Sequence, residues 1–282
     1  MSSLVVLAAG RARRYGGVKP LAPIGPNGEA VIDLLAGDAL RAGFDAFVLV
    51  INPDTGPLIE AHVADTWPDD VEVAFAVQPR PLGTVDAVLA ARRSVDASAP
   101  FGIANADDLY GTDALGMLGN HLAARGTNCL VGFRLDRALV GDLPVTRGVC
   151  SVRDGVLTGI AERRRVTHRD GVFLADDGEE PATLDPSALV SMNLWGFAAS
   201  MWVELHDAMS AAEGASEDDE VLLPELVGRL VSSGGEQSRF EVLSTTSRCI
   251  GVTHPDDLAL VRAEIASEVS RGERPAEAFD RS

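Results

Sequence analysis

The chain has 282 residues, with 24 basic and 42 acidic side chains, and carries a formal net charge of −18. A chain this acidic lacks the basic patch that nucleic acids and anionic membranes require. No apolar run is long enough for a membrane span, and the three cysteines (Cys129, Cys150 and Cys249) form neither a CxxC pair nor a disulfide framework. We therefore expect a soluble, cytoplasmic protein that binds neither nucleic acid nor membrane, with a homo-oligomer left open.

The first half of the chain alternates short apolar runs with segments of helical spacing. Strands are predicted over Leu4–Gly10, Phe47–Ile51, Val71–Val77, Phe101–Ala106 and Asn128–Phe133, and helices over Ala30–Gly43, Leu58–Asp65, Thr84–Val95 and Asp113–Ala124. This alternation predicts an α/β fold with an open, mostly parallel, mixed sheet flanked by helices. Such sheets bind ligands beyond the carboxyl ends of their strands. The loops after Leu7, Val77 and Ala106 are therefore the candidate sites.

The second half is less regular. Asp154–Gly155 predicts the turn of a hairpin over Val149–Glu162, and the charged stretch Arg163–Pro186 predicts an exposed loop or lid. A strand is expected over Ala188–Phe197, helices near Ser200–Ala212 and Val221–Val231, a strand over Phe240–Leu243 and a last helix over Pro255–Val269. We expect one domain over residues 1–270 and a loose tail over residues 271–282.

The loop after the first strand begins with small residues and then carries four cations. The small residues are Ala8, Ala9 and Gly10, and the cations are Arg11, Arg13, Arg14 and Lys19. Small residues let backbone N–H groups approach an anion, and clustered cations oppose its charge. Lys19 is the single lysine among the 24 basic residues, as expected for a position where a guanidinium does not fit. The loop predicts a phosphate site, with a solvated basic loop as the alternative.

Two further motifs follow the third and fourth predicted strands. Asp107 and Asp108 are adjacent carboxylates after an apolar strand, and Mg²⁺ commonly binds one or two carboxylates together with substrate phosphates. A helix N-cap is the alternative role for this pair. Gln78 offers a donor and an acceptor suited to a base edge. Gly83 and Thr84 open a helix whose first N–H groups are free, which is also how an ordinary helix begins.

The order of these motifs resembles that of the nucleotidyltransferases that make nucleotide sugars from sugar 1-phosphates, the nucleotide-sugar pyrophosphorylases. The shared pattern is LAAG…R…K, then PLGT-x-x-A, then NADD, a Glu-basic pair and an Asn-containing strand, over about Leu4–Asn193. The resemblance implies a Rossmann-like, GT-A-like fold, with a nucleotide-binding half at about 1–135 and a sugar-phosphate-binding half at about 136–270. It implies Mg²⁺-dependent transfer of a nucleotidyl group from a nucleoside triphosphate to a sugar 1-phosphate, with release of pyrophosphate.

The resemblance also implies a role for each matching residue. Arg14 would stabilise the triphosphate, Lys19 would bridge the two phosphates about to join, and Asp107 would bind the metal. The nucleotide-binding positions are Leu7, Ala8, Ala9, Gly10, Arg11, Gln78, Gly83 and Thr84. The positions that would contact the sugar phosphate are Asp108, Gly148, Glu162, Arg163 and Asn193.

The chain departs from the family pattern at two places that concern the acceptor and the metal. Arg163 stands where the family has a second phosphate-binding lysine, and we expect it to take over that contact. Ile250 or Gly251 stands where many members have a second metal-binding aspartate. The metal site then rests on Asp107 alone or recruits residue 256 or 257, both of which are aspartates.

These departures keep two other functions open. One is a nucleotidyltransferase for another phosphorylated alcohol, such as a cofactor, choline or cyclitol phosphate. The other is a non-catalytic protein that binds a nucleotide sugar, against which Lys19 and Asp107 weigh. A glycosyltransferase of the same general fold would have no use for the cationic loop that carries Arg14 and Lys19.

Overall fold

The structure is a computed structural model that describes residues 2–10, 17–139, 143–169, 171–212, 220–252 and 257–279. Its first half contains β1 (Ser3–Leu7), α1 (Val31–Arg41), β2 (Ala46–Ile51), α2 (Gly56–Thr66), β3 (Glu72–Val77), α3 (Thr84–Ala90), β4 (Phe101–Asn105), β5 (Asp108–Leu109), α4 (Thr112–Ala124) and β6 (Cys129–Arg134). Its second half contains β7 (Val145–Arg153), β8 (Val156–Arg169), β9 (Val172–Ala175), β10 (Thr183–Leu184), β11 (Leu189–Phe197), α5 (Met201–Ala211), α6 (Leu223–Ser233), β12 (Glu241–Thr245), β13 (Ile250–Gly251) and α7 (Asp257–Ser270). None of the described helices is long and apolar enough to span a bilayer.

A mixed sheet of eleven strands runs through the molecule in the order β10-β9-β8-β12-β6-β11-β4-β1-β2-β3, and β7 pairs with both β8 and β11. The neighbours β3, β2, β1 and β4 are parallel, as are β6 and β12, whereas β11 lies antiparallel between β4 and β6. All antiparallel pairs of this sheet involve strands of the second half. The predicted α/β fold with an open, mixed sheet is confirmed.

Helices cover both faces of the sheet, each face over its own apolar layer. Alternate residues of β1 supply the two layers, because side chains of a strand point to opposite faces. Leu4 and Val6 join the layer under α1, α2, α4 and α7, which includes Leu34. Val5 joins the layer under α3, α5 and α6, which includes Trp202. This double covering explains why the central strands are apolar throughout rather than alternating.

The charged stretch Arg163–Pro186 differs from the exposed loop that its composition indicates. β8 continues through Arg169, and β9 and β10 both lie within the stretch. Val166 and Phe173 are buried in the layer under α1, and exposed charged residues lie between such apolar positions. Burial alternates in β9 but is irregularly spaced in β8, so pairing with β7 and β9 makes this part of β8 a strand.

The C-terminal segment also differs from the predicted loose tail over its described part, residues 271–279. Arg274 is buried and donates from Nη1 to Asp38 Oδ2 of α1 at 2.7 Å. The carbonyl of Ala278 accepts from Arg41 Nη1 at 2.9 Å. A Cβ at Gly37 would collide with that carbonyl, so the glycine permits the close approach. The folded unit therefore extends beyond residue 270.

Candidate functional site

A cavity of about 320 Å³ lies where the C-terminal end of β4 meets β7, β8 and β11. Its polar lining comprises Lys19, Thr84, Asn105, Asp107, Asp108, Thr146, Arg147, Glu162, Ser191 and Asn193. The location is the carboxyl edge of the parallel strands, where ligands of α/β sheets bind. Both halves of the chain contribute to it.

The cavity brings together many of the residues that the sequence singled out. Those in its lining are Lys19, Thr84, Asp107, Asp108, Gly148, Glu162 and Asn193. Other predicted residues that the structure describes fall outside this lining: Leu7, Ala8, Ala9, Gly10, Gln78, Gly83 and Arg163. Arg11 and Arg14 lie outside the described residues.

Lys19 and Asp107 form the charged floor of the cavity. Lys19 Nζ lies 3.6 Å from Asp107 Oδ2, and the side chain of Asp107 is 35 % exposed. The lysine opens a short 3-10 turn whose next residue, Pro20, is buried, so the turn anchors the base of the side chain. Burial raises the pKa of Asp107, and the nearby ammonium of Lys19 opposes that rise. The carboxylate is therefore both accessible and paired with a cation.

Asp108 is held by its neighbours in the chain. Its Oδ2 accepts from Asn105 Nδ2 at 2.9 Å, and its backbone pairs with Gly251 in the β5–β13 ladder. Burial, followed by the negative charge of Asp107, raises the pKa of Asp108 to about 7. A Cβ at residue 251 would collide with Asp108 Oδ1. Of the two positions at which the resemblance places a second aspartate, 250 and 251, the space for a side chain at 251 is taken by the carboxylate of Asp108.

Asp107 and Asp108 could hold a magnesium ion together with substrate phosphates. Mg²⁺ prefers hard oxygen ligands and usually binds through one or two carboxylates, water and substrate phosphates. A divalent cation would also relieve the repulsion that Asp107 exerts on Asp108. Within the described part of the chain, no group of three or more His, Cys, Asp or Glu side chains could hold a metal by itself. Of the two alternative ligands, Asp257 is buried at the start of α7, outside the cavity lining, and Asp256 is not among the described residues.

Asn193 is presented by an irregularity in β11. The register of β11 against β6 shifts just before Trp195, and Asn193 has a left-handed φ of 57°, which asparagine tolerates better than most residues. The indole Nε1 of the buried Trp195 donates to Asn193 Oδ1 at 3.2 Å. The hydroxyl of Tyr110 donates to the Met192 carbonyl at 3.0 Å. These contacts hold the irregular segment against the end of β4.

Gln78 lies outside the cavity lining and has a fixed amide orientation. Its Nε2 donates to the Gly83 carbonyl at 3.0 Å and to Asp86 Oδ2 at 2.9 Å. Since both partners are acceptors, the NH₂ group must face them and Oε1 is left to accept.

Thr84 Oγ1 accepts from the N–H of Leu223 at 2.8 Å, so the start of α6 packs on the start of α3.

Arg163 is bound away from the cavity lining, contrary to the expectation that it contacts phosphate. Its Nε and Nη2 donate to the two carboxylate oxygens of Asp177 at 2.8 and 3.1 Å. The carbonyls of Glu179 and Pro181 accept from the same guanidinium at 2.9 and 3.1 Å. The side chain is buried and anchors the segment between β9 and β10. Sequence reasoning could not foresee this ion pair, because Asp177 lies 14 residues further along the chain, in a segment whose composition indicates a loop.

Arg147 is the charged residue of the cavity lining that sequence reasoning missed. It precedes Gly148 in β7 and lines the cavity. Its guanidinium donates to the Ala138 carbonyl at 2.8 and 3.2 Å and to the Thr146 carbonyl at 2.9 Å. The available signal was weak, because one arginine beside a glycine in a predicted hairpin has little specificity.

Comparison with known proteins agrees with the architecture. Residues 4–137 match the family described as nucleotidyl transferase. The structure of the inositol-1-phosphate CTP transferase from T. maritima is similar, with a TM-score of 0.68 and 18 % identity over 96 % of this chain and 97 % of that chain. UDP-glucose pyrophosphorylase complexed with UDP-glucose is similar too, with a TM-score of 0.66 and 13 % identity over 95 % of this chain and 99 % of that chain. At these identities the likeness shows the fold. No curated protein matches the chain by sequence.

Proposed function

We propose that this chain, whose residues 4–137 match the family described as nucleotidyl transferase, transfers a nucleotidyl group from a nucleoside triphosphate to a sugar 1-phosphate and releases pyrophosphate. The observation that carries this proposal is the floor of the cavity, where Lys19 Nζ lies 3.6 Å from Asp107 beside a second carboxylate. We place the reaction in the cytoplasm, with no nucleic acid or membrane as partner.

The reaction needs charge neutralisation more than it needs a proton acceptor. A phosphate oxygen of the acceptor attacks the α-phosphorus, and the bond from that phosphorus to the departing pyrophosphate breaks in line. The attacking oxygen is already an anion, so no general base is required. Most of the barrier reduction comes from positioning two anions and stabilising the developing charge.

The residues of the cavity floor divide these tasks. Lys19 would lie between the two phosphates and offset their repulsion, released from Asp107 when they bind. Asp107, with Asp108, would hold Mg²⁺, which supplies further charge neutralisation when bound. Arg14 would stabilise the triphosphate. The nucleotide would contact Leu7, Ala8, Ala9, Gly10 and Arg11, with Gln78, Gly83 and Thr84 near the base.

The far side of the cavity suits an acceptor with several hydroxyl groups. Glu162 offers carboxylate oxygens, Asn193 an amide and Ser191 a hydroxyl, all in the lining with Gly148. Such groups hydrogen-bond ring hydroxyls in either a sugar or a cyclitol. A phosphorylated polyol is therefore the second candidate acceptor. The diversion of Arg163 to Asp177 favours it, because the acceptor contact differs from the family pattern.

Pyrophosphate release in the presence of Mg²⁺ tests the proposal. The assay would cross the common nucleoside triphosphates with a panel of sugar 1-phosphates, cyclitol phosphate and phosphocholine, at low and high potassium chloride. We expect release that requires one triphosphate and one acceptor together. Silence across the panel while a triphosphate still binds would contradict the transferase and support a nucleotide-binding protein without activity.

A further inference from the structure

We infer that Arg147 binds the phosphate of the acceptor, the contact that the family pattern assigns to position 163. The inference rests on the proposed function, because it concerns which residue holds the second substrate. It moves the contact from β8 to the neighbouring strand β7, since Arg147 and Arg163 are partners in the β7–β8 register.

The cavity has two described cations, and they come from different halves of the chain. Lys19 belongs to the first half and lies against Asp107 at 3.6 Å. Arg147 belongs to the second half, with Glu162 and Asn193. A reaction that joins two phosphates needs positive charge near both. Arg147 is therefore the described cation that lies beside the acceptor groups.

The charge of Arg163 is already neutralised. Asp177 binds it through two hydrogen bonds of 2.8 and 3.1 Å, and both side chains are buried. Freeing this guanidinium for a ligand would leave a carboxylate buried without its partner, which is costly. Within the described residues Arg147 donates to carbonyls and forms no ion pair, and the carboxylate of Asp108 attracts it only through space. The guanidinium therefore has no bound carboxylate that a phosphate would have to displace.

The guanidinium of Arg147 is fixed in place yet keeps donors to offer. An arginine has five N–H donors, one on Nε and two on each Nη. Nε and Nη2 each donate one N–H to the Ala138 carbonyl, and Nη1 donates one to the Thr146 carbonyl. One N–H remains on Nη1 and one on Nη2, and guanidinium N–H groups form charge-assisted hydrogen bonds with phosphate. Because these carbonyls already restrict the Arg147 side chain, little conformational entropy is lost when a ligand binds to it.

Steady-state kinetics on Arg147→Gln test this assignment. We expect the KM for the acceptor to rise on the order of tenfold to a hundredfold, as for the loss of a charge-assisted hydrogen bond, while the KM for the triphosphate stays near that of the unaltered protein. Arg147→Lys keeps the charge but not the planar guanidinium. Its KM for the acceptor should lie between those of the unaltered protein and of Arg147→Gln. Arg153→Gln, at the exposed end of the same strand, is the matched control. Thermal melting shows whether each variant is folded.

An acceptor KM that Arg147→Gln changes no more than Arg153→Gln would overturn the inference. So would a rise with Arg163→Gln but not with Arg147→Gln, because it would return the contact to position 163. If the unaltered protein turns over no acceptor, the proposed function fails separately. Calorimetric binding of inorganic phosphate, with triphosphate saturating, then decides: binding lost only in Arg147→Gln supports the inference, and no binding by the unaltered protein contradicts it.

Discussion

Single residues determine the chemistry of the cavity, and the sequence reveals some of them better than others. Lys19 and Asp107 were predictable because each follows an apolar strand in a recognisable order of motifs. In the structure both residues line the same cavity. Arg147 and Arg163 were not, since the distinction between them depends on an ion pair with Asp177. Charge type is visible in a sequence, whereas the partner that neutralises a charge is a property of the fold.

The contact between Asp86 and Gln78 leads to a prediction about how strongly the protein discriminates between nucleoside triphosphates. Asp86 accepts from Gln78 at 2.9 Å and keeps the amide oxygen of Gln78 as the group left to accept. In Asp86→Asn the new side chain can donate as well as accept, so that only the Gly83 carbonyl still fixes the amide orientation of Gln78. We expect the ratio of kcat/KM between the best and the next triphosphate to fall, with the fold unchanged. An unaltered ratio would contradict the role of Asp86 in orienting Gln78 for base selection.

At the scale of elements, the short β5–β13 ladder places Asp108 against Gly251. Gly251→Ala would push the Asp108 carboxylate aside, because the added methyl group collides with Oδ1 at the free end of that side chain. We expect a folded protein with a lower kcat and a higher Mg²⁺ concentration for half-maximal rate. Gly116→Ala is the control, since a Cβ there meets nothing within 4 Å. Equal Mg²⁺ requirements in the two variants would contradict a metal role for Asp108.

Elements in the two halves of the chain differ in how far the sequence predicts them. The parallel strands were predictable because burial on both faces makes them apolar throughout, as in Leu4–Val6. The strands within Arg163–Pro186 were not, because their charged residues outweigh the few buried ones, such as Val166 and Phe173. Composition indicated a loop there, and only pairing with β7 and β9 makes the segment a strand.

On the scale of the whole molecule, the C-terminal segment closes over α1 and stabilises the unit that carries the cavity. Asp38 accepts from both Arg41 and Arg274 at 2.7 Å and is buried. Asp38→Ala would remove this carboxylate from both guanidinium groups, although Arg274 keeps Glu268 as a partner at 2.8 Å. The expected loss of stability is about 3 kcal/mol, the lower end of the usual cost of removing one partner of a buried ion pair.

Urea unfolding measures the loss in Asp38→Ala, with the exposed Asp69→Ala as control. A free energy of unfolding for Asp38→Ala equal to that of Asp69→Ala would mean that the ion pair between Asp38 and Arg274 contributes nothing to stability. The segment was predicted as a tail because it is short and polar. The single glycine that admits it, Gly37, gives no signal in the sequence that a chain end will pack there.

The central claim is that the cavity floor joins two phosphates, and the effect of Lys19→Ala on pyrophosphate release tests it most directly. With Mg²⁺ and both substrates, we expect the rate to fall by at least about a hundredfold, by analogy with the loss of one donor to a developing charge. The protein should melt as before and still bind triphosphate, since the nucleotide contacts lie mainly elsewhere. A Lys19→Ala variant that releases pyrophosphate at a near-normal rate would contradict the account.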